Sequence, residues 1–183
     1  MILPFSTHFK DGSDTNFIRK IWAGLINIDD ADEILERINL RLAYIRDSEG
    51  TDHPVRPFFP SSDLELEGIA PKLHTMREDK KDRWHTGSKI HMVVFNRTKN
   101  QFQFAPIIDC ISTQVVEIIN RKDYSFVSVG NHCLFEMDTH TVSITPEFVQ
   151  LVNNDGFESI DEFFNWFDHD FKGKIIHWTD LKY

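Results

Sequence analysis

Tyr124-Ser125-Phe126-Val127-Ser128-Val129-Gly130-Asn131-His132-Cys133-Leu134 reads as a β-hairpin. Its first six residues alternate aromatic and β-branched side chains with serines, the pattern of a strand with one face in a core. Gly130-Asn131 then offers two residues that tolerate positive φ, which a tight hairpin turn requires. His132–Leu134 is the return strand. Outward from this hairpin the same texture continues. Thr141–Thr145 reads as a further strand, and Lys89–Arg97 as another, on Ile90, Met92, Val93, Val94 and Phe95. Gln101–Phe104 leads through Pro106 into an apolar run from Ile107 to Ile119, and Lys174–Trp178 reads as a final strand. Ile2-Leu3-Pro4-Phe5 holds a proline and reads as an edge strand at most.

Helical periodicity sits on both sides of the strands. Phe17, Ile18, Ile21, Trp22 and Leu25 repeat at helical spacing behind Asp14 or Thr15 as the cap, with Gly24 a weak point. A second helix is predicted from about Asp30 to Arg46, with Ile34, Leu35, Ile38, Leu42 and Ile45 on one stripe. Ser48–Gly68 is Pro-rich and loop-like. Late in the chain Pro146-Glu147 opens one helix, and Ser159 caps another before Ile160, Phe163, Phe164 and Phe167. Helices, a run of short strands, then helices and one strand is an α+β order. Hairpin-linked strands of this kind predict a small, mostly antiparallel β-barrel with the helices packed outside it.

At 183 residues, with 40% hydrophobic and 13% aromatic content, the chain is long enough for one domain with a full core, 1–183. Cys110 and Cys133 lie in apolar runs and read as buried thiols. No secretory core opens the chain and no apolar run reaches membrane-spanning length, so a cytoplasmic protein without a membrane partner is the expectation. Nine scattered histidines form no Cys-x-x-Cys, His-x-x-x-His or His-Glu-x-x-His pattern, so they read as structural or surface residues with no metal and no cofactor expected.

Charge is concentrated. The chain carries a formal −9, yet Lys72–Lys99 holds eight basic residues against Glu78, Asp79 and Asp82. Such an island is a candidate anion or nucleotide surface. Within it, a lysine beside a fixed arginine has its pKa lowered, and a neutral Lys72 can serve as base toward the Thr75 hydroxyl. A straight strand would put Lys72 and Thr75 on opposite faces, so the dyad needs a bend, which Pro71 permits. The alternative is a solvated basic loop. Trp84 has two readings: a platform on which a base stacks, with Arg83 and Lys80 meeting phosphate, or a plug closing the barrel end.

Lys72-x-x-Thr75-x-Arg77-Glu78, followed by Trp84-x-x-Gly87-Ser88-Lys89-Ile90, resembles the signature of the activating-signal-cointegrator homology (ASCH) family. That family belongs to the PUA-like superfamily of small β-barrels that bind RNA or modified nucleosides. The resemblance covers Ile69–Ile119 and continues weakly into Asp155–Trp178, leaving 14–68 as a helical and loop elaboration. It implies a ligand site with Arg77, Glu78, Lys80, Arg83 and Trp84. The family's 4-acetylcytidine amidohydrolases use a lysine, a threonine three residues on, and a glutamate near a late helix. Lys72 and Thr75 match that spacing, and Asp155 is the nearest acid, one methylene shorter than the family's glutamate.

Three functions follow as expectations. One is a module binding RNA or a modified nucleoside in a basic cleft. Another is an amidohydrolase, in which Lys72 activates Thr75 or water, Asp155 shuttles a proton and Arg77 stabilises negative charge. The third is a protein-interaction domain using the acidic stretch Asp29–Glu67, where eleven acids face four arginines. The negative net charge disfavours long duplexes and points to a nucleoside or a short or looped RNA.

Overall fold

The computed structural model describes residues 1–26, 36, 39–46, 53–60 and 63–183. The architecture is α+β. In chain order the elements are β1 (Ile2–Pro4), α1 (Phe17–Ile26), and α2, a helix that includes residues 39–46. Strands β2 (His74–Arg77), β3 (Lys89–Val94), β4 (Phe102–Gln103) and β5 (Ile108–Asp109) follow, then β6 (Ser112–Arg121), β7 (Tyr124–Val129), β8 (His132–Met137) and β9 (Val142–Ile144). The chain closes with α3 (Pro146–Asn154), α4 (Ile160–Trp166) and β10 (Phe171–His177). It divides into two compact units, Met1–Lys72 with Lys89–Ile108, and Leu73–Ser88 with Asp109–Tyr183. No described helix is long and apolar enough to cross a membrane.

The first unit is built on β1, which pairs parallel to β3, with β4 antiparallel on the other side of β3. The predicted α1 forms because Phe17, Ile18, Ile21, Trp22 and Leu25 all find a core, each 7% exposed or less. Thr15 caps it, its hydroxyl accepting from the Phe17 amide at 3.3 Å. Phe5 packs edge-on against Phe17 and Phe104, and the Trp22 indole donates to the Phe104 carbonyl at 3.0 Å. The predicted second helix is helical at residue 36 and at 39–46. Residues 27–35, 37 and 38, with Ile34, Leu35 and Ile38 of its stripe, lie outside the described residues, as do 47–52, 61 and 62 of the Pro-rich loop.

The second unit carries a six-stranded antiparallel sheet in the order β2-β10-β6-β7-β8-β9. The hairpin read from the sequence is β7–β8, with Gly130 at φ 58° and a bulge between Val127 and Ser128. Register places Phe171, Gly173, Ile175 and His177 of β10 on one face, opposite Ile118, Val116, Gln114 and Ser112 of β6. Helices α3 and α4 cover the Phe171 end of that face. Phe148 stacks on Phe135 at 4.7 Å, Phe163 lies 4.9 Å from Phe167, and Phe167 lies 5.0 Å from Phe171. Both helix starts are as the sequence predicts: Thr145 and Ser159 accept from the amides of Phe148 and Glu162. Gly156, at φ 90°, ends α3 in the left-handed conformation. Cys110 is buried, but Cys133 is exposed, because it stands on the outward side of β8 next to the bulge.

Candidate ligand-binding site

At the other end of that sheet face the residues change character. His177 on β10 stands directly opposite Ser112 on β6 and His74 on β2. A strand buried on this face should carry apolar side chains at all three places. Instead the sheet presents a polar row, with Gln114 two residues along β6 on the same face. His74 and His177 are each 0% exposed, their rings 5.3 Å apart. Burial pushes the His177 imidazole down from 6.5 to about 3, with His74 and Lys182 adding to the effect and Asp155 opposing it. It is therefore neutral at physiological pH. Neither of its ring nitrogens has a hydrogen-bond partner, and the shielded hydroxyls of Ser112 and Thr179 have none either.

The C-terminus of α3 and the segment after β10 cover this row. The Asn154 carbonyl accepts from the Leu73 amide at 2.8 Å, which brings the end of α3 to the start of β2. Asp155, 2% exposed, sets Oδ1 3.4 Å from His74 Nδ1. Tyr183 lays its phenol across the row, with Oη 2.8 Å from His74 Nε2 and accepting from Asn154 Nδ2 at 2.9 Å. Gln114 grips the Tyr183 backbone at both ends, donating to its carbonyl at 2.6 Å and accepting from its amide at 3.1 Å. Burial pushes the phenol pKa up, the Asn154 hydrogen bond opposing.

The residues predicted from the sequence are distributed as follows. Thr75 is 1% exposed and pairs with Ile176; strand alternation puts it with Arg77 on the face of β2 opposite His74. Asp155 is brought to His74. Burial pushes the Arg77 guanidinium down and the Asp155 charge opposes this. Lys72 belongs to the first unit, where it is 1% exposed, its amide donates to the Lys20 carbonyl and its ammonium lies 4.4 Å from the centre of the Phe17 ring. The regular strand starts only at His74, so the strand alternation that argued against a dyad does not reach back to Lys72.

Within the basic island Glu78 pairs with Lys80 at 3.0 Å, while Lys174, a further cation from β10, reaches both Asp82 and, at 3.6 Å, Asp79. Trp84 is not a platform: at 5% exposure it has no open face for a base to stack on. Its position is fixed by Asp79, whose carboxylate accepts from the Arg83 and Trp84 amides at 2.9 and 2.8 Å. Burial works to raise the Asp79 pKa, but those amides and Lys174 together hold it below the ordinary carboxylate value. Arg83 and Lys81 are exposed.

Sequence reasoning missed His74, Ser112, Gln114, His177 and Tyr183. The one local signal was His177 continuing the apolar alternation Phe171, Ile175 on a strand. Among the described residues no group of three or more His, Cys, Asp or Glu is arranged to hold a metal ion. No family model, curated protein or solved structure matches this chain.

Proposed function

We propose that this chain binds a modified nucleoside, or an unpaired base of a short RNA, in a PUA-like domain of ASCH type, at the polar row of the second unit. The observation that carries this is His177: a fully buried, neutral imidazole with both nitrogens unpartnered, between Ser112 and His74. Buried polar groups are nearly always hydrogen-bonded, so a concentration of unsatisfied ones implies a partner of matching polarity. The groups gathered here are mixed in sense: imidazoles, hydroxyls and the amides of Gln114 and Asn154, with the Asp155 carboxylate beside His74. That set suits the edge of a base and not a phosphate. The barrel expectation belongs to this proposal, supported by the antiparallel run of six strands.

Calorimetry with cytidine, 4-acetylcytidine and a short single-stranded RNA tests it. Nucleoside affinity should be nearly flat with salt, because no phosphate is held. RNA should add a shallow slope, about −0.7 per phosphate contact. Gln114→Leu should weaken nucleoside binding about tenfold or more while leaving Tm nearly unchanged. Equal affinity in that variant, or no binding of any of the three ligands, would reject the assignment.

Amidohydrolysis is the second reading, resting on a 2% exposed acid, Asp155, at His74 of β2, the strand whose opposite face carries Thr75. It requires acetate release from 4-acetylcytidine, lost in Lys72→Ala and Thr75→Val and slowed about 10²-fold or more in Asp155→Asn. Binding of 4-acetylcytidine without acetate release leaves the chain a binding module.

A further inference from the structure

We infer that Tyr183 occupies a slot shaped for a ligand's ring, and that a flat, neutral heterocycle with donors and acceptors on its edge binds by taking the place of the phenol. The identity of that heterocycle as a nucleobase rests on the reading above; the self-occupied slot does not.

Tyr183 is a poor match for what surrounds it. A phenol has one polar atom. That atom satisfies His74 and Asn154. It leaves both nitrogens of His177 and the hydroxyls of Ser112 and Thr179 unmatched in the same patch. Gln114, whose amide has the paired donor and acceptor that read a base edge, is spent on the Tyr183 backbone. His74, His177, Ser112 and Gln114 lie on one face of three adjacent strands, so a single planar ring can address several of them at once. Aromatic walls are present: the rings of His74 and His177 lie 5.4 and 6.1 Å from that of Tyr183.

Departure of the phenol does not dismantle the sheet. β10 ends at His177, and residues 178–183 form neither helix nor strand. Tyr183 itself is only half-buried and Lys182 beside it is exposed. Tyr183 itself can leave with loss of the four hydrogen bonds named above, Trp178 and Thr179 staying in place. The competition has a definite consequence: the observed affinity for a ligand is the intrinsic affinity reduced by the fraction of molecules whose slot is open.

The test is Tyr183→Ala in the full chain, titrated with p-cresol and with cytidine. The expected results are that p-cresol binds the variant and not the wild type, and that cytidine binds the variant about tenfold more tightly. Tyr183→Phe keeps the ring and forfeits the bonds to His74 and Asn154, so it should fall between the two; it carries the test if the alanine variant does not fold. A folded Tyr183→Ala that takes up neither ring, that binds cytidine more weakly than the wild type, or whose structure with p-cresol shows ordered water only in the slot, overturns the inference. Uptake of p-cresol by the variant, with no nucleoside bound by either protein, supports the slot and removes the nucleoside assignment alone.

Discussion

Phe163 and His177 are equally hidden, each 0% exposed, in the same unit and over the same sheet. Their surroundings are opposite. Phe163 lies within a ring cluster of Phe148, Phe157, Phe164 and Phe167. His177 sits in a row of polar side chains that the fold leaves partly unsatisfied. A domain that only needed to be stable would carry the phenylalanine solution along the whole face. The difference teaches that one end of the sheet carries an apolar core, while the other leaves buried polar groups unsatisfied at a cost in stability.

The sharpest way to break the comparison is at the apolar end. Phe163→Ala should cost about 3–5 kcal/mol, the usual range for emptying a buried aromatic site, measured by urea denaturation. A loss below about 1 kcal/mol would show that the Phe cluster does not anchor the unit. Next is the junction between the two ends. A Cβ on Gly173 would lie 2.3 Å from the Arg77 carbonyl oxygen, which is backbone and cannot turn aside. Gly173→Ala should therefore cost about 1–3 kcal/mol and expose the β2 amides to hydrogen exchange before those of β7. A smaller effect is expected from the cap of α4: Ser159→Ala removes the acceptor of the Glu162 amide and should cost about 1 kcal/mol.

His177→Phe is the smallest at neutral pH and the most telling. Replacing an unsatisfied imidazole by an apolar ring should leave stability at pH 7 unchanged or slightly raised. The sign differs in acid. The folded-state pKa of about 3 lies below the unfolded 6.5, so the unfolded chain binds the proton first. This contribution is fully present above pH 6.5 and is lost progressively as pH falls toward 3. Thermal melts of His177→Phe should thus show a flatter acid limb than the wild type. Parallel acid limbs would mean that His177 takes up protons freely in the folded state.

Much of the frame was legible because its signals are local. The β7–β8 hairpin announced itself in Gly130-Asn131, α3 and α4 in their Pro146-Glu147 and Ser159 starts, and α1 in its apolar stripe. The polar row was not legible because it is a product of register. His74 and His177 are 103 positions apart in the sequence and meet only because β2 and β10 pair; nothing near either residue records the other. Both were read as ordinary structural or surface histidines for that reason. The charge around the basic island is likewise not all local: Lys174, which reaches Asp82 and Asp79, comes from a distant strand. Trp84 followed the same rule: Asp79 and the Lys174 contact to its carbonyl decide that it faces inward.

The pairing of β2 with β10 also sets a timetable. Translation delivers His74–Arg77 long before Phe171–His177 exists, and β2 has no other partner in its sheet. A nascent chain can complete β6, β7 and β8 by neighbouring hairpins, a fast and local process. The β2 edge must wait until Phe171–His177 has left the ribosome, then close by a long-range contact. The polar end is thus the last part of the sheet to mature, and a product stalled before β10 would carry a folded hairpin sheet with an unclosed edge.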